Sequence, residues 1–271
     1  MTDEPSYPDA AARAAIDITV PHSARIWNYW LGGKDNYEVD RVAGDAFRDV
    51  FPGIVDGARA ARYFLARAVR HLAGEEGVRQ FLDIGTGLPN VDNTHEIAQR
   101  VAPESKVVYV DNDPLVLAHA RALLVSTPEG SADYLHADLF EPDSIVEQAK
   151  DILDFDQPVA LMLMGILGHV EDYDQARAIV KELVAALPSG SYLVHYDSTG
   201  TSEEYLAAIG QYNDGGSVPY ILRGPGEIAR FFDGLELLDP GVVSCSRWRP
   251  DALAWGLPDE VHQYGGVARK P

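Results

Sequence analysis

Three carboxylates sit in the middle of the chain, each directly after a short apolar run. They are Asp83 in "FLDIGTGLP", Asp111 in "VVYVDND" and Asp138 in "LHADLF". Gly85 and Gly87 follow the first, where a strand turns into a helix, and glycines let a backbone approach a ligand closely. In a parallel sheet that turn binds nucleotides. A pyrophosphate loop needs a third glycine, but the chain has Asn90 there, after Pro89. Asp83 would also oppose a diphosphate. A cationic ligand fits better, because the amino group and sulfonium of S-adenosylmethionine both favour a carboxylate. A tight turn with no ligand is the plain alternative. Asp111 is placed to accept from both ribose hydroxyls, a device dinucleotide enzymes share. Asp138 can accept from an adenine amino group, with Leu139 and Phe140 against the ring, or it can cap the helix near Asp143.

Proton-transfer candidates come next. His169 follows the fourth apolar run in "MGILGHVED", and His195 and Tyr196 lie in the fifth, "SYLVHYD". A general base helps only if the acceptor must lose a proton. His169 is the candidate base, with a packed or capping histidine as the alternative, and His195 reads as sheet packing. Asn93 and His95 open a helix, where Asn93 and Glu96 have capping-box spacing. No acidic cluster indicates a metal.

The elements that must position these groups are legible. From Val78 onward, "RQFLDIG", "KVVYVD", "ADYLHAD", "PVALMLMG" and "SYLVHYD" read as strands alternating with helices. Repeated βα units imply a parallel, doubly wound sheet. "LELLDPGVVSCSRW" and "VHQYGGVARK" read as a closing antiparallel pair, for seven strands in all. Before Val78 the pattern is helical. Residues 1–18 read as a polar arm, 19–76 as a helical lid and 77–271 as the α/β core. In the lid, Ile26, Trp27, Trp30 and Leu31 share a helical face that stops at Gly32-Gly33.

Forty-two acidic against 22 basic residues give a formal charge of −20, which argues against a phosphate-backbone partner. The longest apolar run, "VALMLMGIL", is too short to span a membrane. A signal peptide is not evident, and the single Cys245 forms no internal disulfide. A cytoplasmic protein with a small-molecule substrate is the expectation.

The acids at successive strand ends, the Gly-x-Gly turn and the terminal antiparallel pair resemble the class I, Rossmann-like S-adenosylmethionine-dependent methyltransferases. "ARIWNYWLGGKDNYEVDR", "RQFLDIGTGLPNVDNTHEIAQ", "VVYVDNDPLVLAHARALL", "FFDGLELLDPGVVSCSRWRPD" and "YGGVARKP" are similar to one family, the actinobacterial S-adenosyl methyltransferases, long called a domain of unknown function. The similarity runs from about Asp17 to Pro271, departing at Asn28, where the family more often carries Asp. It implies that Asp83, Gly85, Gly87, Asp111, Asn112, Asp138 and Leu139 contact the cofactor; Gly165, after the fourth strand, joins that set. It also implies that "ILGHV" flanks the transferred methyl group. In such folds the segment before the first strand lies over the pocket. Trp27, Trp30 and Leu31 are then expected to dock the lid, with Arg25, Asn28, Tyr29 and Gly32 to Asn36 facing the pocket. Arg25, Gly32 and Gly33 are assigned to the cofactor, and Tyr29 to catalysis beside His169. A non-catalytic S-adenosylmethionine or S-adenosylhomocysteine binder stays open, as does a nicotinamide-dependent oxidoreductase, against which Asn90 argues.

Overall fold

The computed structural model describes residues 17–271 apart from 91, 124 and 252–255. Most of the expected arm, residues 1–16, lies outside the described residues.

Three helices open the described chain: α1 (Ser23–Trp30), α2 (Glu38–Val50) and α3 (Ile54–Gly74). Alternation then begins with β1 (Gln80–Ile84), α4 (Thr94–Val101), β2 (Lys106–Asp111), α5 (Pro114–Leu123), β3 (Ser131–His136) and α6 (Pro142–Ala149). It continues through β4 (Ala160–Met164), α7 (Tyr173–Ala186), β5 (Tyr192–Ser198), α8 (Glu203–Asp214) and α9 (Pro225–Ala229). Short strands β6 (Glu236–Leu237) and β7 (Val243–Ser244) and the longer β8 (Gln263–Arg269) finish the chain.

These form one sheet in the order β3-β2-β1-β4-β5-β8-β6, with β7 also on β8. β1 to β5 are mutually parallel, and β8 runs antiparallel to β5 from Tyr192↔Arg269 to Ser198↔Gln263. The sheet has eight strands rather than the expected seven. The stretch read as a single strand, "LELLDPGVVSCSRW", is split by a turn in which the Gly241 N–H donates to Leu238 O (2.8 Å), and Pro240 has no N–H to give a ladder. Both halves pair with β8.

Strand order reverses between β1 and β4, which is where an open α/β sheet leaves a crevice. Each strand is followed directly by a glycine with positive φ, Gly85 (72°) and Gly165 (79°). Phe81 packs on one face with Phe64, Leu72 and Val107, while Leu82 and Ile84 pack on the other with Ile145, Ile179 and Leu183. That period-2 alternation follows from the pleat. α3 therefore forms a layer of the sheet although its sequence sits in the helical preamble. The covering lid is α1 with α2, whose Ile26, Trp30 and Phe47 pack against Tyr205 and Ile209 of α8.

Candidate active site

A cavity of about 250 Å³ opens above the carboxyl ends of β1, β2 and β4 and beneath α1. Its floor is the Gly85-Thr86-Gly87 turn, anchored by the Gly85 N–H donating to Val110 O (2.8 Å). A Cβ at Gly85 would overlap the Ile166 side chain, so the β1 and β4 turns interlock only with glycine there. A Cβ at Gly165 would sit 3.1 Å from the Tyr196 ring.

The three carboxylates meet at this cavity, each held differently. Asp83, at the end of β1, is buried and accepts from Thr94 Oγ1 (2.7 Å) at the start of α4. Burial pushes its carboxyl up to about 6, a shift that Thr94 and the nearby Arg62 guanidinium moderate. Asp111 accepts from the backbone N–H of Gly87 (2.8 Å) and of Asp113 (3.0 Å). Burial raises it too, and those two N–H groups oppose the rise. Asp138 accepts from the Phe140 N–H (3.0 Å) and stands 3.3 Å from Asn112 Nδ2. Asn112 and Leu139 complete that wall, and Phe140 is half exposed beside it.

His169 lines the cavity from a 3-10 turn, Leu167–His169, directly after β4. Its Nδ1 lies 3.0 Å from Pro219 O. A carbonyl only accepts, so Nδ1 carries the proton and Nε2 keeps a lone pair. Burial lowers the pKa of the ring and favours this neutral form. The ring packs edge-on to Tyr220 at 5.1 Å. On the far side of His169 and Trp27, a small chamber of about 30 Å³ continues among Trp30, Phe47, Tyr205, Tyr212 and Tyr220.

The roof differs from the expectation in several places. Trp27 and Leu31, expected as docking residues, line the cavity, beside Asn28, which lines it as expected. Trp30 does dock the lid, donating its Nε1–H to Gly44 O (3.1 Å) and stacking edge-on with Phe47. Arg25 is buried away from the cavity, paired with Asp40 at 3.0 Å and donating to the carbonyls of Asp17 and Val20. Asp40 also accepts from the His22 and Tyr37 N–H groups, so this ion pair fastens α1 to α2. Tyr29 donates its hydroxyl to Asp45 (2.8 Å) and does not line the cavity.

The glycine pair closes α1 as a Schellman motif. The Gly32 N–H donates to Tyr29 O and the Gly33 N–H to Asn28 O, with Gly32 at φ 82°. A Cβ at Gly33 would overlap the Asn28 carboxamide. The second glycine thus makes room for a side chain, and neither glycine lines the cavity. Asn28 Oδ1 accepts from the Asp35 N–H and Asn36 Nδ2, orienting its carboxamide.

The sequence reading passed over two lining basic side chains, Arg62 and His22. Arg62, on α3, is the one Lys or Arg on the wall among the described residues. It lies off the Ala61, Leu65, Ala68 stripe that α3 buries, which was the available signal. His22, before α1, stands 3.3 Å from Asp113 Oδ2 and links the lid to the turn that holds Asp111. Among the described residues, no group of three or more His, Cys, Asp or Glu is placed to hold a metal ion. No described helix is long and apolar enough to cross a membrane.

The donor set suits a ligand with two positive centres and one carboxylate: three acids and one guanidinium surround a space of small-molecule size. No curated relative matches the chain. Among the solved structures that do, two are similar over almost their whole length. One is a DUF574 family protein from Streptomyces avermitilis, 48% identical, covering 94% of this chain and 99% of that one, with a TM-score of 0.89. The other, described as a putative methyltransferase from Thermobifida fusca, is 38% identical, covers 94% and 96%, and has a TM-score of 0.86. The S-adenosyl methyltransferase family model matches residues 9–271. Sheet order, strand-end acids and this match converge: the chain belongs to the S-adenosyl methyltransferase family, whose methyl donor is S-adenosylmethionine.

Proposed function

We propose that the protein methylates a small-molecule acceptor with His169 as the proton acceptor. The observation that carries this is the Nδ1–Pro219 contact, which leaves a neutral imidazole with a basic Nε2 on the cavity wall. Bound in the cavity, S-adenosylmethionine supplies an electrophilic methyl carbon. Asp83 takes its amino group, Arg62 its carboxylate and Asp111 its ribose hydroxyls. Asp138, Leu139 and Phe140 bound the adenine, and Gly85, Gly87 and Gly165 give the backbone room. α1 covers the site through Trp27 and Asn28, excluding water and orienting the acceptor. Orientation of this kind lowers barriers by about 7 kcal/mol or more. With the donor bound, the acceptor atom would bond the methyl carbon as the carbon–sulfur bond breaks and S-adenosylhomocysteine leaves, and His169 Nε2 would take the acceptor's proton, a contribution worth about 100-fold to 10,000-fold.

The enclosed position of the site beneath α1 and the charge of −20 support a small acceptor over a nucleic acid. Cytoplasmic location and an actinobacterial source complete the reading. The test is calorimetric titration with S-adenosylhomocysteine, then incubation of methyl-labelled donor with a small-metabolite extract, using wild type and His169→Gln. Labelled product from wild type, reduced at least about 100-fold in H169Q with S-adenosylhomocysteine affinity retained, is expected. Tight binding without product would favour a non-catalytic binder. Binding of nicotinamide dinucleotide alone would overturn the cofactor assignments.

A further inference from the structure

The turn that carries His169 rests on two buried groups of β5 that the proposed reaction does not use. His195 and Asp197 lie two residues apart on one face of the strand and are fully buried. His195 Nδ1 is 2.8 Å from Leu163 O, so it bears the proton and Nε2 is a bare acceptor. Nε2 has no hydrogen-bond partner, and neither has Asp197 Oδ2, 3.7 Å away. A buried acceptor left unpaired is costly, and here two of them face each other.

The surrounding groups do not resolve this. Arg223 is 3.9 Å from Asp197 Oδ2, but its Nη1 and Nη2 donate to the carbonyls of Leu167 and Val170. Tyr220 donates its hydroxyl to Asp197 Oδ1 (2.7 Å), and the Gly168 N–H reaches the same oxygen (3.2 Å). Tyr205 donates to Ser198, and the rings of Phe231 and Phe232 enclose His195. The 3.7 Å gap is longer than a hydrogen bond, and a single proton drawing the two atoms closer would satisfy both.

We propose that Asp197 and His195 hold a single proton, carried on Asp197 Oδ2 and directed at His195 Nε2, and that this neutral pair positions the His169 turn. Burial acts on both groups in the required sense, pushing Asp197 up to about 7 and His195 down to about 4. From Asp197 the connection is short. Oδ1 holds Gly168 and Tyr220, the Tyr220 ring abuts His169, and Pro219 O holds His169 Nδ1. The positioning role rests on the proposed function of His169, whereas the proton's location does not.

The test uses full-length protein with ¹⁵N-labelled histidine. NMR should show His195 singly protonated on Nδ1, with Nε2 accepting a hydrogen bond, at about pH 5.5, between the two titrations. A doubly protonated His195 would overturn the shared proton. Asp197→Asn keeps the oxygen that accepts from Tyr220 and Gly168 and offers an N–H to His195. It should therefore bind S-adenosylhomocysteine within about twofold of wild type. The unfolded chain releases the Asp197 proton near 3.8 and the fold releases it near 7, so this group's contribution to stability falls as pH rises through that window. The stability of D197N relative to wild type should accordingly climb between those pH values, and a flat difference would refute the neutral acid. Tyr220→Phe keeps the ring and removes the hydroxyl that Asp197 holds. It should broaden or shift the His169 Nδ1–H signal, and an unchanged signal would remove the positioning role. Failure of wild type to bind S-adenosylhomocysteine would sink the cofactor reading alone, leaving the His195 spectrum to decide the proton.

Discussion

On the sheet side of the cavity, the lining groups include Asp83, Gly85 to Gly87, Asp111, Asn112 and Asp138 to Phe140, backbone turns and carboxylates gathered at successive strand ends. On the lid side, Asn28 is oriented by Asp35 and Asn36 just past α1, whereas Trp27 packs among groups from distant segments. The rings behind them belong to Phe47, Tyr205 and Tyr220. The sheet side is polar, with strand ends giving each acid its place. The lid side is long-range and aromatic, so its geometry depends on helices meeting correctly. Cofactor recognition should therefore break at single backbone positions, whereas the lid should fail through packing and stability.

The largest expected effect is on the floor. Gly85→Val adds a side chain at φ 72° into Ile166 and should lower S-adenosylhomocysteine affinity more than about tenfold by calorimetry. Wild-type affinity in that variant would place the cofactor elsewhere. On the roof, Trp30→Ala should cost about 3–5 kcal/mol in denaturant unfolding. Trp27→Ala, half-buried on the cavity wall, should cost less stability and more binding; the reverse order would exchange their roles.

Asp83 gives a pH signature. Its carboxyl titrates near 6, and only the charged form attracts an ammonium. Affinity should fall as pH drops below that value, by up to about tenfold per unit. Asp83→Asn should bind weakly and lose the slope, and a wild-type profile flat through pH 6 would remove Asp83 from the amino-group site. For the unliganded fold the sign is opposite. A raised carboxyl pKa makes this group's contribution to stability decline as pH rises from 3.8 to about 6. The smallest effect is expected at Tyr29. Tyr29→Phe removes one partly exposed hydrogen bond to Asp45, at most about 1 kcal/mol, and should leave affinity unchanged. A clear affinity loss would return Tyr29 to the site.

How much of this was readable in advance differs between the two sides. The strands, the acids at their ends and the positive-φ glycines follow from short-range pattern, because strand period and turn chemistry are local. β6 and β7 were merged because two-residue strands carry too little period to separate. Arg25 looked like a ligand-binding cation since its partner, Asp40, lies on another helix. Gly33 was read as room for a ligand because its neighbour, the Asn28 carboxamide, folds back only in three dimensions. Arg62 was passed over on a helix read for its apolar stripe.

By itself the sequence determined the parallel sheet, the turn after its first strand, the three acids at the strand ends and the family. These depend on the order and periodicity of residues, properties a linear chain already possesses. Only the tertiary structure decided which lid residues face the cavity, that Arg25 and Asp40 neutralise each other, and that Pro219 sets the His169 tautomer. It alone brought His195 Nε2 and Asp197 Oδ2 face to face without a partner. Those outcomes depend on which groups lose water together, and desolvation is a property of the packed volume around a residue rather than of its place in the chain.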